Sequence, residues 1–206
     1  MIFLFDFDGT LADSMGAWGG KMLNILDTAG VPYPADIVTT LATLGDGGSA
    51  KYMRETLGVS YPEETLFAMM DAYALPRYRD EIPLKAGVRE FLASREEEKC
   101  ILTASPHKML DPCLKRNGIW EAFSHVWTCE DLGKVKSDPA IYSDVAERLG
   151  VASREIVFFD DNLTAIQTAK RAGLVTVAVY EKSGEVFWNA LCKSADYTIF
   201  DWEELL

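Results

Sequence analysis

Met1-Ile2-Phe3-Leu4-Phe5-Asp6-Phe7-Asp8-Gly9-Thr10-Leu11-Ala12-Asp13-Ser14 opens the chain. Its four apolar residues, 2–5, have the composition of a strand buried on both faces, yet they run into Asp6 and Asp8 and break at Gly9. Burying unpaired carboxylates is costly, so a strand of this kind has to present its acids to something that compensates them.

The rest of the chain explains the company this strand keeps. Apolar, β-branched or aromatic runs recur at 100–103, 156–159 and 175–179, with weaker ones at 126–128 and 197–200. Helical patterns lie at 87–97, 106–117, 139–149 and 163–172, and Gly118, Gly150 and Gly173 fall where helix ends favour glycine. Strands alternating with helices of this length predict right-handed βαβ units and a parallel sheet. The segment 15–81 breaks the alternation with helical stretches at 17–30, 35–44, 49–57 and 62–78. It reads as a helical insertion, with Pro76 and Pro83 on the return path. The expected architecture is an α/β Rossmann-like parallel sheet core, residues 1–14 and 82–206, with an α-helical cap at 15–81.

Composition bounds the partners. The 206 residues are 49% hydrophobic and 25% charged, the balance of a globular protein with a sizeable core. A net charge of −12 disfavours nucleic acid and anionic membrane as partners. No apolar run is long enough to span a bilayer and no signal peptide is apparent at Met1, so a cytoplasmic location is expected. A monomer or weak homodimer is a separate expectation. Cys100, Cys113, Cys129 and Cys192 are scattered and read as reduced thiols.

Three of the strong strands end in chemistry: Asp6-Phe7-Asp8-Gly9-Thr10, Thr103-Ala104-Ser105 and Asp160-Asp161-Asn162. Open parallel sheets bind ligands outside the carboxyl ends of their strands, which would bring four carboxylates and a hydroxyl to one rim. Turn and cap preference accounts for Thr103 or Asn162 taken singly, but not for four acids together. Carboxylates this close repel unless a cation neutralises them, and oxygen-only ligands suit Mg²⁺. Gly45-Asp46-Gly47-Gly48-Ser49-Ala50 fits a dinucleotide fingerprint but sits inside the helical segment, and is expected to be a flexible turn. Gly19-Gly20 reads as either a flexible point or a packing contact.

Asp6-Phe7-Asp8-Gly9-Thr10-Leu11-Ala12-Asp13-Ser14 resembles the first motif of the haloacid dehalogenase superfamily, in its phosphoglycolate phosphatase and β-phosphoglucomutase branch. Ile101-Leu102-Thr103 is similar to the second motif. Lys136-Ser137-Asp138-Pro139 is similar to the third, and Phe158-Phe159-Asp160-Asp161 to the fourth, in its adjacent-acid form. Lys134 competes for the third motif, but Pro139 favours Lys136. The resemblance implies Asp6 as nucleophile and Asp8 as general acid/base. It also implies Mg²⁺ on Asp6, Asp161 and the main-chain carbonyl of Asp8, with Asp160 as a further ligand or a support. Thr103, Ala104, Lys136, Gly9 and Thr10 would contact the phosphate. The expected activity is hydrolysis of a small phosphorylated metabolite through an aspartyl-phosphate; the alternative is a sugar-phosphate mutase of the β-phosphoglucomutase type. Dehalogenation is disfavoured because dehalogenases generally lack an acid at the position of Asp8. A silent binding protein would be expected to have lost a motif residue, and this chain retains all of them.

Overall fold

The computed structural model describes residues 1–42 and 44–206; Thr43, inside the expected helical stretch 35–44, lies outside the described residues. The chain forms two compact units, Met1–Asp13 with Pro83–Leu206, and Ser14–Ile82.

The first unit carries a six-stranded sheet. In chain order its elements are β1 (Ile2–Phe5), β2 (Glu98–Thr103), β3 (His125–Thr128), β4 (Ile156–Asp160), β5 (Val175–Val179) and β6 (Tyr197–Ile199). Every pairing is parallel and the spatial order is β3-β2-β1-β4-β5-β6. β1 is therefore central, which explains why its four residues are apolar without alternation: both faces and both edges are covered. The chain steps outward from β1 to β3, then returns to the other side of β1 at β4. That reversal makes the β1–β4 boundary the topological switch point, where the carboxyl ends of the strands leave a crevice.

Side-chain alternation divides the strands between two cores. Phe3, Phe5 and Phe159 face a helix and the tail of the chain, packing with Phe91 and Trp202 at centroid distances of 4.9–6.3 Å. Ile2, Leu4, Cys100, Leu102, Ile156 and Phe158 face the opposite side, against Ile141, Tyr142, Val145, Ile166 and Ala169.

The second unit is helical: α1 (Met15–Ala29), α2 (Ile37–Ala42), α3 (Gly45–Glu55) and α4 (Glu63–Asp80). Its core joins Met22, Ile25 and Leu26 to Leu41, Met53, Leu66 and Met70. Two local expectations are corrected here. Gly45-Asp46-Gly47-Gly48 is not a flexible turn but the first turn of α3. Asp46 there accepts from the buried Lys21 ammonium at 2.7 Å, and an acid in the first turn also complements the helix dipole. Pro76 lies within α4 rather than on a return path. Buried Leu66, Met70, Ala74 and Tyr78 recur every fourth residue, and this packing outweighs the one backbone donor that Pro76 lacks. Arg77 adds a hydrogen bond to the Tyr73 carbonyl at 2.7 Å and stacks on the Tyr73 ring. Gly19 and Gly20 serve packing: a Cβ on Gly20 would lie 2.4 Å from the Tyr73 hydroxyl, and one on Gly19 2.9 Å from Val38.

The remaining helices belong to the sheet unit: α5 (Val88–Ser94), α6 (His107–Arg116), α7 (Cys129–Leu132), α8 (Ala140–Leu149), α9 (Leu163–Arg171) and α10 (Trp188–Ser194). Among the described residues no helix is long and apolar enough to cross a membrane.

Candidate active site

The sheet register sets the acids side by side. Phe5 of β1 pairs with Phe159 of β4, and the Asp6 amide donates to the Phe159 carbonyl at 2.9 Å. Asp6 and Asp160 thus leave adjacent strands at the same level, both buried. Asp161 follows one residue later, and the three carboxylates bring ligand atoms within 4.8 Å of one another.

The loop after β1 is closed by its own backbone. The Leu11 and Ala12 amides both donate to the Phe7 carbonyl, at 3.0 and 2.9 Å, and the Gly9 amide returns to Ala12. Phe7, Leu11 and Ala12 are fully buried beneath it. Gly9 adopts φ +75°, and a Cβ there would meet Asp161 Oδ2 at 2.6 Å. Only glycine allows the backbone to pass this close to the acid in a left-handed conformation. Thr10 fixes both sides of the loop: its hydroxyl donates to Asp161 Oδ1 at 3.2 Å, and its carbonyl accepts from the buried Trp202 indole at 3.0 Å.

Lys136 supplies the cation. Its ammonium donates to Asp6 Oδ1 and, at 2.8 Å, to Asp160 Oδ2. The lysine reaches them from the Phe158 face of the sheet, 6.0 Å from that ring's centroid. Its backbone is held by the Tyr142 hydroxyl of α8, 3.0 Å from the Lys136 carbonyl. Lys134 instead pairs with Asp144 on α8, which settles which of the two lysines enters the site. Asp160 also accepts the Asn162 amide at 2.7 Å, so each of its oxygens already meets a donor.

Thr103 ends β2 fully buried, and its hydroxyl oxygen accepts the Ser105 amide at 3.1 Å; Ala104 between them is exposed. Ser105 in turn donates from its hydroxyl to Asp8 Oδ2 at 2.5 Å. Sequence reasoning noted Ser105 only as part of a strand end, and nothing local marks its partner, 97 residues away. His107, at the start of α6, bridges Asp111 and Asp131 at 2.7 and 2.9 Å.

The electrostatics show an unbalanced site. Burial pushes the Asp6 carboxyl up to about 7; Lys136 pulls it down, while Asp160 and Asp8 push it up. Burial and the neighbouring Asp160 and Asp6 also hold Asp161 well above the usual carboxylate range. Burial alone would lower the Lys136 pKa, but Asp160 and Asp6 reverse this and keep the ammonium firmly charged. The three carboxylates outnumber the one ammonium, so the cluster can carry full charge only with a further cation beside it. An all-oxygen donor set with that deficit fits a hard divalent cation.

A family model of haloacid dehalogenase-like hydrolases matches residues 1–173, which span β1 through α9 and every residue of this cluster. The chain belongs to that family. Proteins similar to it include the phosphoglycolate phosphatase of Pseudomonas putida, 27% identical over 187 residues, covering 85% of this chain and 68% of that protein. The phosphorylated carbohydrates phosphatase of Thermotoga maritima is 24% identical, covering 83% of this chain and 81% of its own. Among solved structures, CbbY from Rhodobacter sphaeroides in complex with phosphate matches with a TM-score of 0.83 at 21% identity, covering 99% of this chain and 95% of that one. β-Phosphoglucomutase from Clostridium difficile matches with a TM-score of 0.80 at 20% identity, covering 100% and 94%. At these identities the structural likeness is one of fold.

Proposed function

We propose that the protein is a Mg²⁺-dependent phosphatase that hydrolyses a small-molecule phosphomonoester through an aspartyl-phosphate on Asp6. The observation that carries the reading is the contact of Asp6 with Lys136 inside a cluster of acids at the switch point of the sheet. The relatives named as phosphatases of phosphoglycolate and of phosphorylated carbohydrates support a small substrate.

In the first step an Asp6 oxygen attacks phosphorus, the bond to the leaving oxygen breaks, and that oxygen takes both the bonding pair and a proton from Asp8. In the second, water attacks the same phosphorus and gives its proton to Asp8, and the bond to Asp6 breaks to restore the carboxylate. Lys136 neutralises phosphoryl oxygens, while Thr103 and the main chain of Gly9, Thr10 and Ala104 orient them. Asp6, Asp161 and the Asp8 carbonyl would hold Mg²⁺, which would supply positive charge to offset that of the carboxylates and the phosphoryl oxygens. Asp160, with both oxygens engaged, orients Lys136 and the Asn162 amide. The helical unit, inserted directly after the β1 loop, is proposed as a cap that limits substrate size.

The test is release of phosphate from para-nitrophenyl phosphate, together with Mg²⁺ binding followed by calorimetry. Activity should vanish with chelator and in Asp6→Asn, and calorimetric binding should weaken in Asp161→Asn. Full activity in Asp6→Asn would overturn the reading. The fold shared with β-phosphoglucomutase favours one second reading, phosphoryl transfer within a sugar phosphate. Isomerised sugar phosphate without accumulating free phosphate would select it.

A further inference from the structure

We infer that Ser105 is a positioning residue for proton transfer, holding the Asp8 carboxylate in place through both of its protonation states. The inference rests on the phosphatase reading above and concerns a residue that none of the four sequence motifs assigns to this role.

Three observations carry it. The Ser105 hydroxyl donates to Asp8 Oδ2 across 97 residues of sequence, so the contact is built by the fold and not by the turn. Ser105 itself stands on a fixed corner. Its amide is tied to the hydroxyl of buried Thr103 at 3.1 Å, and Pro106 follows it immediately, leading into α6. A residue before proline is restricted to extended backbone, so the corner has little freedom to carry the hydroxyl away. Asp8, by contrast, lies on an irregular loop, half-buried, one residue before the left-handed Gly9.

The chemistry of a hydroxyl suits the task. Asp8 must alternate between a carboxylic acid, which protonates the leaving oxygen, and a carboxylate, which takes a proton from water. A serine hydroxyl donates to the carboxylate and, after rotating, accepts from the acid. A backbone amide or a lysine could serve only the first state. Ser105 transfers no proton to substrate in this scheme; it fixes the plane of the Asp8 carboxyl while the proton moves through Asp8.

The experiment uses the full chain and a series of substituted phenyl phosphates whose phenols differ in acidity. For each, kcat/KM reports transfer to Asp6, the step that needs a protonated leaving group. Ser105→Ala should leave the best leaving group, para-nitrophenolate, nearly unaffected. It should slow the poorest by roughly ten- to hundred-fold, the worth of a hydrogen bond to a charged group, so the plot against leaving-group pKa steepens. Asp8→Asn should steepen the same plot at least as much, and adding Ser105→Ala to it should change little further, because the two act as one unit. Ser105→Thr, which keeps the hydroxyl, should restore the shallow slope. A loss from Ser105→Ala that is equal across the series, as a purely structural or phosphate-contacting serine would give, overturns the inference while Asp6→Asn remains inactive. If Asp6→Asn is fully active across the series, the phosphatase reading falls and this inference with it.

Discussion

Replacing Gly9 with Ala separates two costs that the structure assigns to one position. The first is conformational: Gly9 has φ +75°, and a left-handed backbone costs an L-residue about 1–2 kcal/mol. The second is steric. The new Cβ would lie 2.6 Å from Asp161 Oδ2 and 2.9 Å from Asp161 Cγ, so loop and acid must part by about 0.8 Å to reach ordinary contact at 3.4 Å. That movement breaks the 3.2 Å bond from Thr10 to Asp161, a hydrogen bond to a charged group worth roughly 1.5–3 kcal/mol. Gly150, the C-cap of α8, supplies the control: its φ is +67° and a Cβ there meets nothing within 4 Å. Gly150→Ala should therefore lose only the backbone cost of about 1–2 kcal/mol, and Gly9→Ala about 2.5–5 kcal/mol. Urea denaturation with and without saturating Mg²⁺ measures both variants. Ligand bound only to the folded state stabilises by about 2.7 kcal/mol at a hundred times its Kd. That increment should persist in Gly150→Ala and shrink in Gly9→Ala, whose displaced Asp161 is a proposed ligand. Equal stabilities and equal Mg²⁺ increments in the two variants would refute the reasoning.

Lys136→Met removes the only cation in contact with Asp6 and Asp160 among the described residues, and breaking a buried pair of this kind should cost roughly 3–5 kcal/mol in chelator. Mg²⁺ should recover more stability in this variant than in the parent, as read by thermal unfolding. Asp8→Asn should lower kcat by about 10²–10⁴-fold with substrate binding retained, as measured by steady-state kinetics with phenyl phosphate, whose poor leaving group needs the proton. The pKa of His107 is raised above its ordinary 6.5, by Asp111 first and by Asp131. Its contribution to stability is therefore complete below pH 6.5 and lost as pH rises through the higher folded value. The melting difference between parent and His107→Gln should be largest at acid pH and shrink on the alkaline side. It should stay within roughly 0.2–1 kcal/mol, since the bridge is partly exposed, and fall with added salt.

The core of the site was legible because its signals are local. Residues 2–5 announce a buried strand, the acids at 6, 8, 160 and 161 stand at strand ends, and Pro139 singles out Lys136 over Lys134. Parallel alternation then fixed that these ends share a rim. What escaped the sequence was set by packing between distant segments. Ser105 meets Asp8 across 97 residues and Trp202 meets Thr10 across 192, and neither partner changes the local pattern around the other. In the helical unit the local signals misled. Glycines at 45, 47 and 48 suggest a turn, but the Lys21–Asp46 pair and a buried face recruit them into α3. Pro76 suggests an ending, yet the four-residue spacing of buried side chains carries α4 past it.

The central place of β1 has a consequence for how the protein is made. Its neighbours in the sheet, β2 and β4, are synthesised long after it, and the indole that clamps Thr10 comes later still, at residue 202. At translation rates of about 5–20 residues per second, the 192 residues between Thr10 and Trp202 take about 10–40 s to appear. Until β2 follows, beginning at Glu98, the apolar Ile2–Phe5 segment has neither of its neighbouring strands, and the acids Asp6 and Asp8 that follow it help to keep it solvated. Asp6 and Asp8, which later stand at the rim, thus also serve as charged gatekeepers beside an unpaired apolar strand of the nascent chain.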